Sequence, residues 1–209
     1  MSGSKRGVWI GGVLALAVIA GGTVGTLYAM HGGPFKAATL PSAEKSELAR
    51  FAVGPLATLE TPAVLTTAPD YVFKSRDNAD LTFAEYRGKV VLVNLWAMWC
   101  APCRTEMPTI AALAEAYPGG DLVVMPINVD TGEDAVADAR EFIDVHAPLV
   151  FYGDPRFQLP FEFPGKGRMP QTILLDREGR IRASFSGEAD WASTEARALI
   201  DAVLAEDRA

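Results

Sequence analysis

Val90-Val91-Leu92-Val93-Asn94-Leu95-Trp96-Ala97-Met98-Trp99-Cys100-Ala101-Pro102-Cys103 is the stretch that decides the fold. Its first seven residues are a continuous β-prone run, the pattern of a strand buried on both faces and therefore central in a sheet. Pro102 suits the first turn of a helix, because its fixed φ is already helical and its missing N–H would have no partner there. Beyond it Met107, Ile110, Leu113 and Ala114 recur at helical spacing, which predicts a helix over residues 100–117 with a kink at Pro108. A buried strand thus runs into a helix, and the two cysteines of the chain stand at the junction.

That position sets their chemistry. Two intervening residues let both side chains meet across the first helical turn and close a small disulfide. Cys100, at the N-terminal end, faces unpaired backbone N–H groups and the positive end of the helix dipole, both of which favour a thiolate. Cys100 is therefore the expected nucleophile. Cys103, deeper in the turn, is the expected resolving thiol, which displaces whatever Cys100 captures. A zinc site needs about four ligands, and the chain offers two cysteines with His31 and His146 in no repeating spacing. No metal and no cofactor beyond the cysteine pair are expected.

Outward from this junction, the chain alternates strand and helix from about residue 62, which argues for an α/β class. A second buried strand is expected over 122–129 and a helix over 133–145 with Ala135, Ala139, Phe142 and Ile143 inward. A short strand follows over 149–152. Pro155, Pro160 and Pro164 make 154–168 mostly irregular. Two strands, 172–175 and 181–185, flank Asp176-Arg177-Glu178-Gly179, a hairpin turn in which Gly179 is free to take positive φ. A last helix over 192–205 presents Ala196, Leu199, Ile200 and Val203 to the sheet. Residues 81–86 read as a turn or short helix.

The N-terminus carries a different signal. After Lys5 and Arg6 no charged residue appears until Lys36, and residues 8–28 are apolar or small throughout, long enough to cross a bilayer of about 30 Å. Basic residues before such a span stay in the cytoplasm, so the expected organisation is a cytoplasmic stub (1–7), a transmembrane anchor (8–28), a linker with a short amphipathic helix capped by Ser42 (29–61), and an exported domain (62–209). A cleaved signal peptide is the alternative, and it also exports the domain. With 49% hydrophobic residues, 22% charged residues and a net charge of −7, the chain is neither disordered nor suited to nucleic acid, whose binding rests on Lys and Arg.

The segment from Leu92 to Pro108, together with Ile127-Asn128-Val129-Asp130-Thr131, Met169-Pro170-Gln171-Thr172 and Ala189-Asp190-Trp191-Ala192-Ser193, resembles the TlpA/ResA branch of the thioredoxin superfamily. The resemblance implies a thioredoxin-like α/β fold, a central mixed sheet flanked by helices behind a membrane anchor. It also implies that Pro170 is a cis-proline beside the cysteines, offering backbone to a substrate, with Met169 tuning the site. Glu106 matches an acidic residue thought to assist proton movement, whereas its plain reading is a solvated helix carboxylate. Asn94 stands where thioredoxin has a buried acid, so that proton route is expected to be missing. Trp99, expected to shield the sulfurs, joins Ala101, Pro102, Met169 and Pro170 as the substrate-contacting set, and Trp96 is read as core. The chain departs from the branch over residues 157–168, which are proline-rich where its members are more helical.

By resemblance the protein is a periplasmic thiol:disulfide oxidoreductase on the bacterial inner membrane. Its implied clients are disulfide-containing exported proteins, first among them the copper-site proteins of cytochrome oxidase assembly, and its implied electron donor is a membrane thiol carrier of the DsbD/CcdA kind. A second reading makes the client apocytochrome c in haem attachment. A third is a copper-carrying protein of the Sco type, which uses a wider cysteine spacing and a distal histidine. A disulfide-introducing oxidant also remains open, because a cysteine pair does not fix the direction of exchange.

Overall fold

The computed structural model describes residues 46–206; the expected anchor at 8–28, the cap at Ser42 and His31 lie outside them. Among the described residues no helix is long and apolar enough to cross a membrane. Seven strands form one mixed sheet: β1 (Phe73–Lys74), β2 (Asp80–Leu81), β3 (Val90–Trp96), β4 (Leu122–Asn128), β5 (Tyr152–Gly153), β6 (Gln171–Leu175) and β7 (Ile181–Ser186). Their spatial order is β2-β1-β5-β4-β3-β6-β7. β3 pairs parallel with β4 and antiparallel with β6, so both its edges are bonded.

All seven residues of β3 are buried, as the unbroken apolar run requires of a strand covered on both faces. Val90, Leu92 and Trp96 point to one face and join the larger apolar cluster; Val91, Val93 and Leu95 point to the other, against Phe73, Phe83 and Phe163. Burying each such side chain stabilises by about 1.5–3 kcal/mol. The helices are α1 (Ala101–Ala116), α2 (Glu133–Asp144), α3 (Leu159–Glu162) and α4 (Thr194–Glu206). α1 continues through Pro108 to Ala116. α4 buries Ala196, Leu199, Ile200 and Val203, the expected four. In α2 Ala139 and Ile143 are buried, while Ala135 and Phe142 are half-buried.

Three local expectations are corrected. The strand expected over 149–152 is only Tyr152–Gly153, because pairing there depends on β4 offering just Ile127 and Asn128 as partners. Leu81 belongs to a two-residue strand, and the turn that follows is a 3-10 helix at Phe83–Tyr86 closed by a Thr82/Glu85 capping box. The segment at 154–168 contains α3 with Pro160 in its first turn. Gly179 takes φ 68° in the β6–β7 turn, as expected.

The segment before β1 packs on the domain. Ser46 caps a 3-10 helix at Glu47–Phe51, a second follows at Gly54–Leu56, and Leu48, Leu56 and Leu59 enter the cluster that holds α4. Glu60 bridges Ser184 and Thr67 bridges Arg180, which occupies part of the outer edge of β7 and protects it from pairing with another chain.

Candidate active site

Cys100 is the N-cap of α1, and its carbonyl accepts the first helical bond from Arg104 N at 3.2 Å. Its sulfur makes no capping hydrogen bond; it is bonded to Cys103 in a closed disulfide with Cα atoms 5.3 Å apart, inside the ordinary range for such a bridge. Cys103 is fully buried, whereas Cys100 keeps 5% of its surface open. Any partner sulfur therefore reaches Cys100 first, and the helix start favours negative charge there. Ala101 and Pro102 are exposed on the first turn.

The segment that carries Cys100 is held from two sides. Met98 N donates to Asp130 Oδ2 at 2.7 Å, and Arg104 Nη1 donates to Met98 O at 2.7 Å. Asp130 is buried just beyond β4 and also accepts from Asn128 Nδ2 at 2.7 Å. The two peptides that flank the Met98 Cα are thus fixed, one by a carboxylate and one by a guanidinium, both through charge-assisted bonds. Trp99, next in the chain, is 62% exposed with its ring edge-on to Phe157 at 6.1 Å. Most of its surface therefore faces solvent. Trp96 is fully buried core, as expected.

The Met169–Pro170 peptide is cis, and Gly187 N donates to Pro170 O at 3.0 Å. Gln171 follows at once and pairs with Leu95 near the end of β3 that leads into the cysteines. Met169 packs on the cluster that contains both sulfurs. A second cis peptide, Ala147–Pro148, carries no sequence signal that distinguishes it from the other prolines.

Glu106 is not a solvated helix carboxylate. One turn on from Cys103, it is 1% exposed, and its two oxygens accept from Asn94 Nδ2 at 2.8 Å and Ala189 N at 3.1 Å. Asn94 also donates to Thr172 Oγ1 at 3.0 Å, which ties β3, α1 and β6 together through one amide. Burial pushes the Glu106 carboxyl up to about 7; the bonds from Asn94 and Ala189 pull the other way, and so does the indole of Trp191, although its N–H has no acceptor in hydrogen-bond geometry. Asn94 thus donates to a buried acid on the adjoining helix. Thr105, Thr109, Glu188 and Asp190 line a cleft of about 390 Å³ that reaches Glu106. His146 belongs elsewhere: its Nδ1 donates to Phe142 O at the end of α2.

Sequence reading assigned no role to Asp130, Arg104 or Thr172. Asp130 had a visible signal, an acid directly after a buried strand; the other two depend on contacts that only folding creates.

Residues 64–184 match the AhpC/TSA family. The chain is 31% identical over 125 residues to the thiol-disulfide oxidoreductase ResA of Geobacillus thermodenitrificans, covering 60% of this chain and 70% of that protein. It is 32% identical over 123 residues to the thioredoxin-like protein YneN of Bacillus subtilis, covering 55% of this chain and 66% of that one. Among solved structures, a thiol:disulfide interchange protein DsbE from Chlorobium tepidum superposes with a TM-score of 0.59 at 26% identity, over 67% of this chain and 96% of that one. With a closed Cys-Ala-Pro-Cys bridge at the head of α1, a cis-proline just before β6, the strand that pairs with β3, and these relatives, the chain belongs to the AhpC/TSA family, among its thioredoxin-like thiol-disulfide oxidoreductases.

Proposed function

We propose that the protein reduces disulfides in exported client proteins, with Cys100 as nucleophile, Cys103 as resolving thiol and Glu106 as the proton store. The observation that carries the reading is the asymmetry of the pair: Cys100 retains access, Cys103 has none, and a carboxyl held near neutrality lies one turn further along the helix. The Cys100 thiolate attacks a client disulfide and forms a mixed disulfide while one client thiolate leaves. The Cys103 thiol loses its proton towards Glu106 and displaces the second client sulfur. One client thiolate takes a proton from solvent and the other takes the proton handed on from Glu106, so the client gains two electrons and two protons and the protein ends with the Cys100–Cys103 bond. Trp99, Ala101, Pro102, Met169 and Pro170 form the surface against which the client segment lies. Electrons return from a membrane thiol carrier of the DsbD/CcdA kind, and the apolar stretch at 8–28 anchors the domain on the periplasmic side of the inner membrane.

The clients are copper-site proteins of cytochrome oxidase assembly. A Cys103→Ser variant cannot release its partner, so expressed in place of the wild type it accumulates a mixed disulfide with such a protein; recovery of no exported partner after acid trapping would overturn the reading. The buried Glu106 and the similarity to ResA favour a second client, apocytochrome c. Cells lacking the protein then lose c-type cytochromes before oxidase copper, and the reverse order dismisses that client.

A further inference from the structure

Residues 157–168, the stretch that departs from the TlpA/ResA pattern, are held by an unusual number of buried hydrogen bonds for a surface loop. Asp154, fully buried, accepts from Arg156 N, Gln158 N and Leu159 N at 3.2, 2.9 and 2.7 Å and from Tyr71 Oη at 2.6 Å. Gln171, also buried, accepts from Gly165 N at 2.9 Å and donates to Pro160 O at 3.2 Å. Gly165 leaves no room for a Cβ, which would meet the Gln171 side chain at 2.4 Å. Phe157 sits at φ 51°, a conformation that a bulky residue adopts only when its surroundings impose it.

These constraints produce an aromatic row. The Phe157 ring is edge-on to Trp99 at 6.1 Å and to Phe161 at 5.7 Å. Phe161 is 51% exposed, and with Trp99 it accounts for the aromatics among the large exposed hydrophobics of the described residues. The row begins at the residue before Cys100 and ends where Phe161 rests on Gly167, between Lys166 and Arg168. Among the described residues Lys166 Nζ bonds to the Phe161 carbonyl at 3.3 Å, while Arg168 donates its Nε to Gly165 O at 3.2 Å and lies 3.8 Å from Glu60. An apolar row fixed by buried hydrogen bonds thus ends beside two exposed basic side chains, in a chain of net charge −7.

We infer that this row is a specificity surface for the client segment: it takes an extended stretch bearing a large apolar side chain next to an acidic residue, about three to four positions from the attacked cysteine. Laid end to end, the two ring steps of 6.1 and 5.7 Å reach from the Trp99 ring, next to Cys100, over three to four extended residues at about 3.3 Å each. Continuity with Cys100 makes a client its occupant, and Lys166 and Arg168 supply the charge that an acidic neighbour complements. A preformed surface also spares the ordering that a flexible loop would require on binding. This inference rests on the oxidoreductase reading above.

The test uses the full chain, pre-reduced, and two peptides of equal length, each with one internal disulfide. One carries Phe-Asp four residues from its first cysteine and the other Ser-Lys. Single-turnover reduction by the wild type is expected to be about tenfold faster for the Phe-Asp peptide. Phe161→Ala brings that ratio to about twofold, and Val145→Ala, at an exposed apolar residue outside the row, leaves it at tenfold. Equal wild-type rates, or a tenfold ratio that survives in both Phe161→Ala and Phe157→Ala, would overturn the inference. Concentration-dependent self-association that disappears in Phe161→Ala while the peptide ratio stays would also overturn it, assigning the row to a second copy of the chain. A wild type that reduces neither peptide nor hydroxyethyl disulfide overturns the oxidoreductase reading itself.

Discussion

Glu106 and Asp154 are both carboxylates with almost no exposed surface, yet they are provisioned differently. Asp154 is met by four donors, three of them consecutive or near-consecutive backbone N–H groups of one loop. Glu106 is met by two, one from each neighbouring segment, beside a cleft. A charge withdrawn from water must be compensated by hydrogen bonds. Four of them make Asp154 a fixed organiser of the loop after β5. With only two, Glu106 is left with a carboxyl raised to about 7, which is the property a proton store requires near neutral pH. Tyr71 shows the other side of the Asp154 site: desolvation first, then the hydrogen bond and charge of Asp154, push its phenol up to about 12.

The harshest way to break this contrast is Asp154→Ala. It leaves buried donors without an acceptor, each worth about 1–3 kcal/mol, so urea unfolding is expected to show a loss of about 3–5 kcal/mol. A change under 1 kcal/mol would mean the loop is held by other means. Glu106→Gln comes next. The folded protein holds the Glu106 proton more tightly than the unfolded chain does, so this residue's contribution to stability is complete below about 4.5. It declines as pH rises and is lost once pH passes about 7. Replacing it should flatten the pH dependence of stability in that window, an effect of about 3 kcal/mol. It should also slow release of the mixed disulfide at pH 7 about 100-fold, read by stopped-flow fluorescence; an unchanged rate would remove Glu106 from the proton path. The gentlest probe is Tyr71→Phe. It takes one of four donors from Asp154 and should cost about 1 kcal/mol, whereas a cost like that of Asp154→Ala would show that the phenol, not the backbone, secures the loop.

Local signals account for what could be read beforehand. The β3 run, the cysteines at a helix start, the Gly179 turn and the buried face of α4 each depend on residues close in sequence. What escaped reading depends on distant partners. β1, β2 and β5 are two residues long, too short for any periodicity. The burial of Glu106 is decided by Ala189, 83 positions away, and a carboxylate on a helix looks the same in sequence whether it faces water or another element. Pro126 lies within β4 against expectation for a strand interior. It is accommodated because β5 starts pairing only at Ile127. The loop at 154–168 reads as irregular from its prolines, while the order it has comes from two side chains that flank it, Asp154 and Gln171.

The two-sided hold on the Met98 backbone has a practical corollary. With its amide anchored by Asp130 and its carbonyl by Arg104, the backbone leading into Trp99 is pinned, so the indole has only its own side-chain torsions with which to respond. Any rearrangement of the indole when a client docks therefore costs side-chain rotation alone and need not move the backbone that carries Cys100.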